Sequence, residues 1–148
     1  MQAKEVLRSV SLFSGLSPRF IDGLAKNCTT RKFEAGAVIV RQGNPGVGLF
    51  IISDGQVKVV KTTDTGESYE VGHHGPGDVI GEMSVLDGAP RSANVIAETD
   101  CECLVLTSWD FTAFMKSHPE VALEILPVVV QRFRETNEAL ISSRETGK

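Results

Sequence analysis

Several things are scarce in this sequence of 148 residues, and each scarcity closes a class of function. It has three cysteines, Cys28, Cys101 and Cys103. An odd count argues against a disulfide framework and for a reducing compartment. Cys101 and Cys103 stand one residue apart, which suits same-face positions on a strand and not the two-residue gap of a zinc knuckle. No apolar run approaches the roughly 20 residues that span a bilayer. Met1–Arg8 lacks the apolar stretch of a signal peptide. Three histidines are too few and too scattered for the metal clusters that hydrolyse phosphoesters. Neither a Gly-x-Ser-x-Gly elbow nor a Gly-Lys-Ser/Thr phosphate loop occurs. Lys and Arg are scattered and the net charge is −4, against an extended nucleic-acid surface. The expectation is a cytoplasmic non-enzyme with no membrane segment in this chain, no nucleic-acid partner and no metal.

What is present is a chain able to bury about 68–70% of its unfolded surface, enough for a core without staples. It reads as one domain, 1–148, in three parts: helices over 1–30, a β-roll over 31–107, and helices over 108–148. In the first part, Lys4–Val10 is a short helix and Leu12, Phe13 and Leu16 form an apolar plug. Ser17-Pro18 opens a second helix, serine as cap and proline at the first position, that fades near Asn27. Eleven of the fourteen glycines then fall between Gly36 and Gly88. They separate runs rich in Val, Ile and Phe, with strands expected at Ala37–Arg41, Gly48–Ile52, Gln56–Thr62, Glu67–Val71, Asp78–Ile80, Ala93–Ala97 and Cys101–Thr107. Turn signals at Asp54-Gly55 and Asp64-Thr65-Gly66 make hairpins. Many short strands of this spacing define a mainly β fold, an antiparallel sandwich, jelly roll or barrel, with flanking helices.

After Thr107 the chain turns helical again, with Ser108 as cap and a stop at His118-Pro119. A longer helix follows to about Ile141, with Pro127 expected to kink or split it. Ala122, Leu126, Val129, Phe133, Thr136 and Leu140 follow a 3-4 spacing along it and Ile125, Val128 and Val130 widen the stripe, either a face packed on the β-roll or one left for a partner.

The stretch Gly81–Ala93 carries the chemistry. Gly81 precedes an apolar segment able to make one helical turn, whose backbone N–H groups suit an anion. Arg91 offers a planar fork matched to phosphate oxygens, and Ser92 and Ala93 are small enough for close approach. Glu82 would repel phosphate, so it must address a donor, and a sugar hydroxyl is the natural donor beside a phosphate. The alternative is that Glu82 and Arg91 bridge each other across the turn.

Gly81-Glu82, Leu86-Asp87-Gly88 and Ala89-Pro90-Arg91-Ser92-Ala93, with Pro76-Gly77-Asp78 and the Gly36, Gly43 and Ser53-Asp54-Gly55 pattern upstream, resemble the phosphate-binding cassette of cyclic nucleotide-binding domains. These include the catabolite activator and the regulatory subunits of cyclic-nucleotide-dependent kinases. The resemblance implies a β-roll (double-stranded jelly roll) with N-terminal helices and two C-terminal helices, acting as a cyclic nucleotide sensor. The ligand would be cAMP or cGMP, with the family's breadth favouring cAMP, and no cofactor is implied. By the same resemblance Glu82 would accept from the ribose 2′-hydroxyl and Arg91 would pair with the cyclic phosphate. Gly81, Met83 and Ser84 would lend N–H groups or shape, with Ser92 and Ala93 closing around the phosphate. The family uses its last helix as a lid or dimer seam, which makes Arg132, Phe133, Thr136, Asn137 and Leu140 candidates near the base. That helix could pair with a second copy or an effector domain. Ile80 departs from the family, where Phe is frequent.

Catabolite-activator relatives carry a helix-turn-helix domain after the long helix, whereas this sequence stops within a few residues of it. The expectation is a free-standing sensor or the sensor of a larger channel, kinase, acetyltransferase or DNA-binding regulator. A cupin-like metalloenzyme is the remote alternative, through His73, His74 and Glu82. Adjacent histidines on a strand point to opposite faces, which disfavours a shared ion.

Overall fold

The computed structural model describes residues 3–146. Two short helices, α1 (Ala3–Arg8) and α2 (Pro18–Asn27), flank a 3-10 turn at Ser11–Phe13. Eight strands follow: β1 (Thr29–Phe33), β2 (Val38–Val40), β3 (Gly48–Asp54), β4 (Val57–Thr62), β5 (Ser68–His74), β6 (Val79–Ile80), β7 (Asn94–Ala97) and β8 (Cys101–Thr107). A one-turn helix, α3 (Ser84–Asp87), interrupts them between β6 and β7, and α4 (Ser108–Ser117) and α5 (Glu120–Thr146) close the described chain. All strand pairs are antiparallel, in two four-stranded sheets ordered β1-β8-β3-β6 and β2-β7-β4-β5. This is the expected β-roll with flanking helices.

The hydrophobic pattern explains which sheet carries the helices. Along β3 and β8, alternate side chains face opposite ways. Leu49, Ile51, Leu104 and Leu106 pack with Leu7, Leu12, Phe13, Phe20, Leu24 and Phe111 from the helices. Phe50, Ile52, Cys103 and Val105 pack instead with Ile39, Val57, Val95 and Ala97 of the second sheet. The first sheet is therefore buried on both faces, and its central strands read as nearly continuous apolar runs. In β4 one face stays wetter, and Val57-Lys58-Val59 keeps the alternation. The rings of Phe13 and Phe111 meet at a tilt of 40° with centroids 5.7 Å apart, joining the 3-10 turn to α4. Each fully buried side chain of this size contributes about 1.5–3 kcal/mol.

Four expectations change. β1, Thr-Thr-Arg-Lys-Phe, was not expected as a strand. It is an edge strand held only by β8, four of its five residues are exposed, and so it carries no apolar alternation. Ser17 does not cap α2 with its side chain. Its hydroxyl donates to Glu124 Oε1 at 2.5 Å and its N–H to Glu124 Oε2 at 3.1 Å, tying α2 to α5. The cap of α4 is Thr107, whose extended backbone lets its hydroxyl accept from the Asp110 N–H, while Ser108 is already helical. Finally, α5 is not split at Pro127. The carbonyl that proline leaves without its helical partner belongs to Leu123, an exposed residue.

Docking of α5 is confined to its start. Val121 and Ile125 enter the helix-side core and Val129 packs partly against it, whereas Leu126, Phe133 and Leu140 of the expected stripe are exposed.

Candidate functional site

The Gly81–Ala93 loop is sewn to the Arg41–Gly48 loop by backbone bonds. Arg91 N–H donates to Asn44 O at 2.8 Å, Gly43 N–H to Arg91 O at 2.8 Å, and Gly46 N–H to Gly88 O and Ala89 O at 3.2 and 3.1 Å. Within the loop, α3 buries Val85 in the helix-side core and ends on Gly88 at φ +67°. The Gly88 N–H returns to Ser84 O at 2.8 Å. Only glycine adopts that left-handed conformation freely, so the one-turn helix stops where Asp87-Gly88 occurs.

Arg91 is the buried charge of this arrangement, only 7% exposed. Its Nη2 donates to Gly48 O at 2.5 Å. Its guanidinium lies directly against the Cα of Gly81, where a Cβ would meet Nη1 at 1.6 Å. Gly81 also sits at φ +74°, so this position needs glycine twice over. Among the described residues no carboxylate lies within ion-pair distance of Arg91. Burial pulls its pKa down from the usual arginine value, though guanidinium stays charged at neutral pH. A buried cation costs several kcal/mol unless an anion compensates it.

A cavity of about 270 Å³ opens beside Arg91. Gly81, Ser84, Pro90, Arg91, Ser92 and Ala93 form its cassette side, and Val40, Val59, His74, Val79, Ile80 and Val95 its roll side. Five of the seven expected cassette residues thus converge on one cavity. Glu82 and Met83 do not line it. Glu82 turns toward the helices, and its Oε1 accepts from Leu12 N–H at 2.5 Å and from Arg132 Nη2 at 2.7 Å. The bridge between Glu82 and Arg91 is therefore not formed. Of the expected lid residues, Arg132 reaches the cassette through this ion pair, while Phe133, Thr136, Asn137 and Leu140 are exposed on α5.

His74 was read only as a hairpin-end residue or a metal ligand. The alternation of β5 does not announce it, because Tyr69 and Val71 are in phase with His73 and the register with β4 shifts beside them, so the cavity lining alone places His74 inward. His73 is on the other side, with Nδ1 2.7 Å from Glu98 Oε1 and Nε2 3.3 Å from Glu70 Oε2. Among the described residues no three His, Cys, Asp or Glu side chains are placed to hold a metal ion. No helix of the described residues is long and apolar enough to cross a membrane.

A double-sheet roll holds a buried arginine beside a small cavity whose roll-side wall is largely aliphatic. The cyclic nucleotide-binding domain family model matches residues 30–118, more than half of the chain. The chain belongs to that family. It is 32% identical over 131 residues to a cyclic AMP receptor protein of Thermus thermophilus, covering 88% of this chain and 61% of that one. It is 37% identical over 118 residues to a cyclic nucleotide-gated potassium channel of Mesorhizobium japonicum, covering 80% of this chain and 31% of the channel. Among solved structures, the N-terminal domain of a transcriptional regulator from Streptomyces coelicolor superposes with a TM-score of 0.82 at 32% identity, covering 91% of this chain and 94% of that one. The chain spans less than two thirds of the length of these two curated relatives.

Proposed function

We propose that this chain is a cyclic nucleotide sensor, selective for cAMP over cGMP, in which ligand capture by the 81–93 loop repositions α5. The observation that carries the proposal is the buried guanidinium of Arg91, without a carboxylate partner among the described residues, at a cavity lined by Ser84, Ser92 and Ala93. A cyclic phosphate supplies the one negative charge this site lacks. Similarity to a cyclic AMP receptor protein supports cAMP as the preferred ligand.

Glu82 supplies the coupling. Its carboxylate is engaged by Leu12 N–H and Arg132, and the role assigned to it in ligand binding is to accept from the ribose 2′-hydroxyl. Turning the carboxylate to the sugar alters the geometry of both contacts on Oε1, so ribose and Arg132 compete for it. A ligand shifts a conformational equilibrium only by its differential affinity for the two states, and this competition is such a difference. The mechanics of α5 fit it. The helix is anchored at its start by Val121, Ile125 and the Glu124–Ser17 bonds, and latched at Arg132. Leu126, Val130, Phe133, Leu140 and Ile141 lie exposed on it, an apolar surface for a second copy or an effector domain. The module would serve as the sensor of a larger channel, kinase, acetyltransferase or DNA-binding regulator, or act alone in the cytoplasm.

Parallel titrations with cAMP and cGMP test the proposal. Saturable binding of both, tighter for cAMP, is expected. Binding of neither would remove it, and tighter binding of cGMP would reverse the selectivity.

A further inference from the structure

His74 closes the cavity on the wall that the cassette does not supply. It is the last residue of β5 and stands opposite Val57 of β4 in register. It shares one cavity of about 270 Å³ with Arg91, Ser84 and Ser92. That volume is at the small end for a ligand pocket, so a nucleotide that reaches Arg91 fills it and meets both walls. The rest of the roll side is aliphatic: Val40, Val59, Val79, Ile80 and Val95. Arg91 and His74 are thus the two side chains of the lining able to carry charge.

The charged groups around His74 are few. From the turn after β5, Asp78 Oδ2 lies 3.5 Å from His74 Nδ1 and already accepts from Gly75 N–H at 2.9 Å. From the cassette, the facing group is Arg91. From β4, the cavity receives only Val59. His73 on the same strand points away, to Glu70 and Glu98. Imidazole is the ordinary side chain whose charge changes between pH 5 and 8.

We infer that His74 is a nucleotide-contacting residue whose imidazole takes up a proton when the cyclic phosphate is bound, so that binding tightens as pH falls. The inference rests on the nucleotide proposal above. The physical cause is plain: the bound anion adds a negative charge to a cavity that a neutral His74 leaves with only Arg91, and this stabilises the imidazolium. A residue that binds the ligand only when protonated makes affinity and proton uptake two readings of one event.

Calorimetric titration of cAMP in two buffers of different ionisation enthalpy measures both, between pH 5.5 and 8. For the wild-type protein, proton uptake near neutral pH and an affinity that weakens roughly three- to tenfold from pH 5.5 to 8 are expected, the size of one added charge in a half-exposed site. His74→Gln and His74→Leu should each abolish the uptake and flatten the affinity at the wild-type high-pH value. His73→Gln should leave both as in the wild type. Binding that is equally tight at every pH, or uptake that persists in both His74 variants, overturns the inference while leaving the nucleotide proposal intact. No binding by the wild type at any pH removes that proposal, and this inference falls with it.

Discussion

The cassette has two sides, and its two charged residues face different ones. On the cavity side, Arg91 is buried against Gly81 and bonded to Gly48 O, with no carboxylate beside it among the described residues. On the helix side, Glu82 is held by a backbone N–H 70 residues earlier and by an arginine 50 residues later. One charge lacks a partner and the other has two. In the function proposed above, the uncompensated side receives the ligand and the compensated side passes its arrival to the rest of the chain. On that proposal recognition and transmission are divided within thirteen residues, and variants on the two sides should behave differently.

The largest effect belongs to the cavity side. Arg91→Ala should weaken cAMP binding roughly 30-fold to several-thousand-fold, corresponding to about 2–5 kcal/mol for a desolvated charge contact. Because the variant also removes a buried cation, its urea midpoint should not fall in proportion, and comparing titration with unfolding separates the two. Gly81→Ala comes next. Its Cβ would collide with the Arg91 guanidinium, and alanine at φ +74° costs about 1–2 kcal/mol. Both affinity, by about tenfold or more, and unfolding midpoint should drop, in contrast to Arg91→Ala.

On the helix side the sign reverses. The Glu82–Arg132 pair is partly exposed, with side chains 19% and 28% accessible. Arg132→Ala frees Glu82 from its competitor and should raise cAMP affinity by up to about fivefold, the scale of such ion pairs. An unchanged or weakened affinity in that variant would break the competition, and with it the division between the two sides.

The smallest effect lies away from both. Glu98 and Glu70 raise the His73 pKa above the usual imidazole value. Stabilisation from a raised pKa is fully present below the unfolded-state value and is lost as pH rises through the folded one. The urea midpoint of the wild type should therefore fall slightly relative to His73→Gln as pH rises through that window. His73 is exposed, so the shift should be slight and weaken with added salt.

The parts legible in the sequence are those whose cause is local. Gly81, Asp87-Gly88 and Arg91-Ser92-Ala93 declare their conformations and chemistry within one turn; Asp87-Gly88 ends the one-turn helix, and Gly81 and Arg91-Ser92-Ala93 converge on the cavity as residue type suggests. The roll was legible too, through its glycine-punctuated runs. What escaped depends on partners distant in sequence. β1 has no apolar pattern because only the edge of β8 makes it a strand. Ser17 looks like a helix cap until Glu124 takes its hydroxyl. In the same way nothing near Glu82 announces Leu12 or Arg132, so its role on the helix side could be seen only in the fold. The long helix shows both cases: its apolar stripe, Ile125 included, was visible, but that Val121 and Ile125 dock while Leu126, Phe133 and Leu140 stay exposed was set by the core they meet.

Both sides of the cassette are read by a single experiment, backbone hydrogen exchange of the wild-type protein with and without saturating cAMP. Slower exchange across 81–93, together with altered exchange at Leu12 and along α5 around Arg132, is the predicted result. Slower exchange at 81–93 with Leu12 and α5 unaltered would describe a passive binder and contradict the trade of Glu82 between helix and ligand. No change anywhere in the chain would contradict the binding site itself.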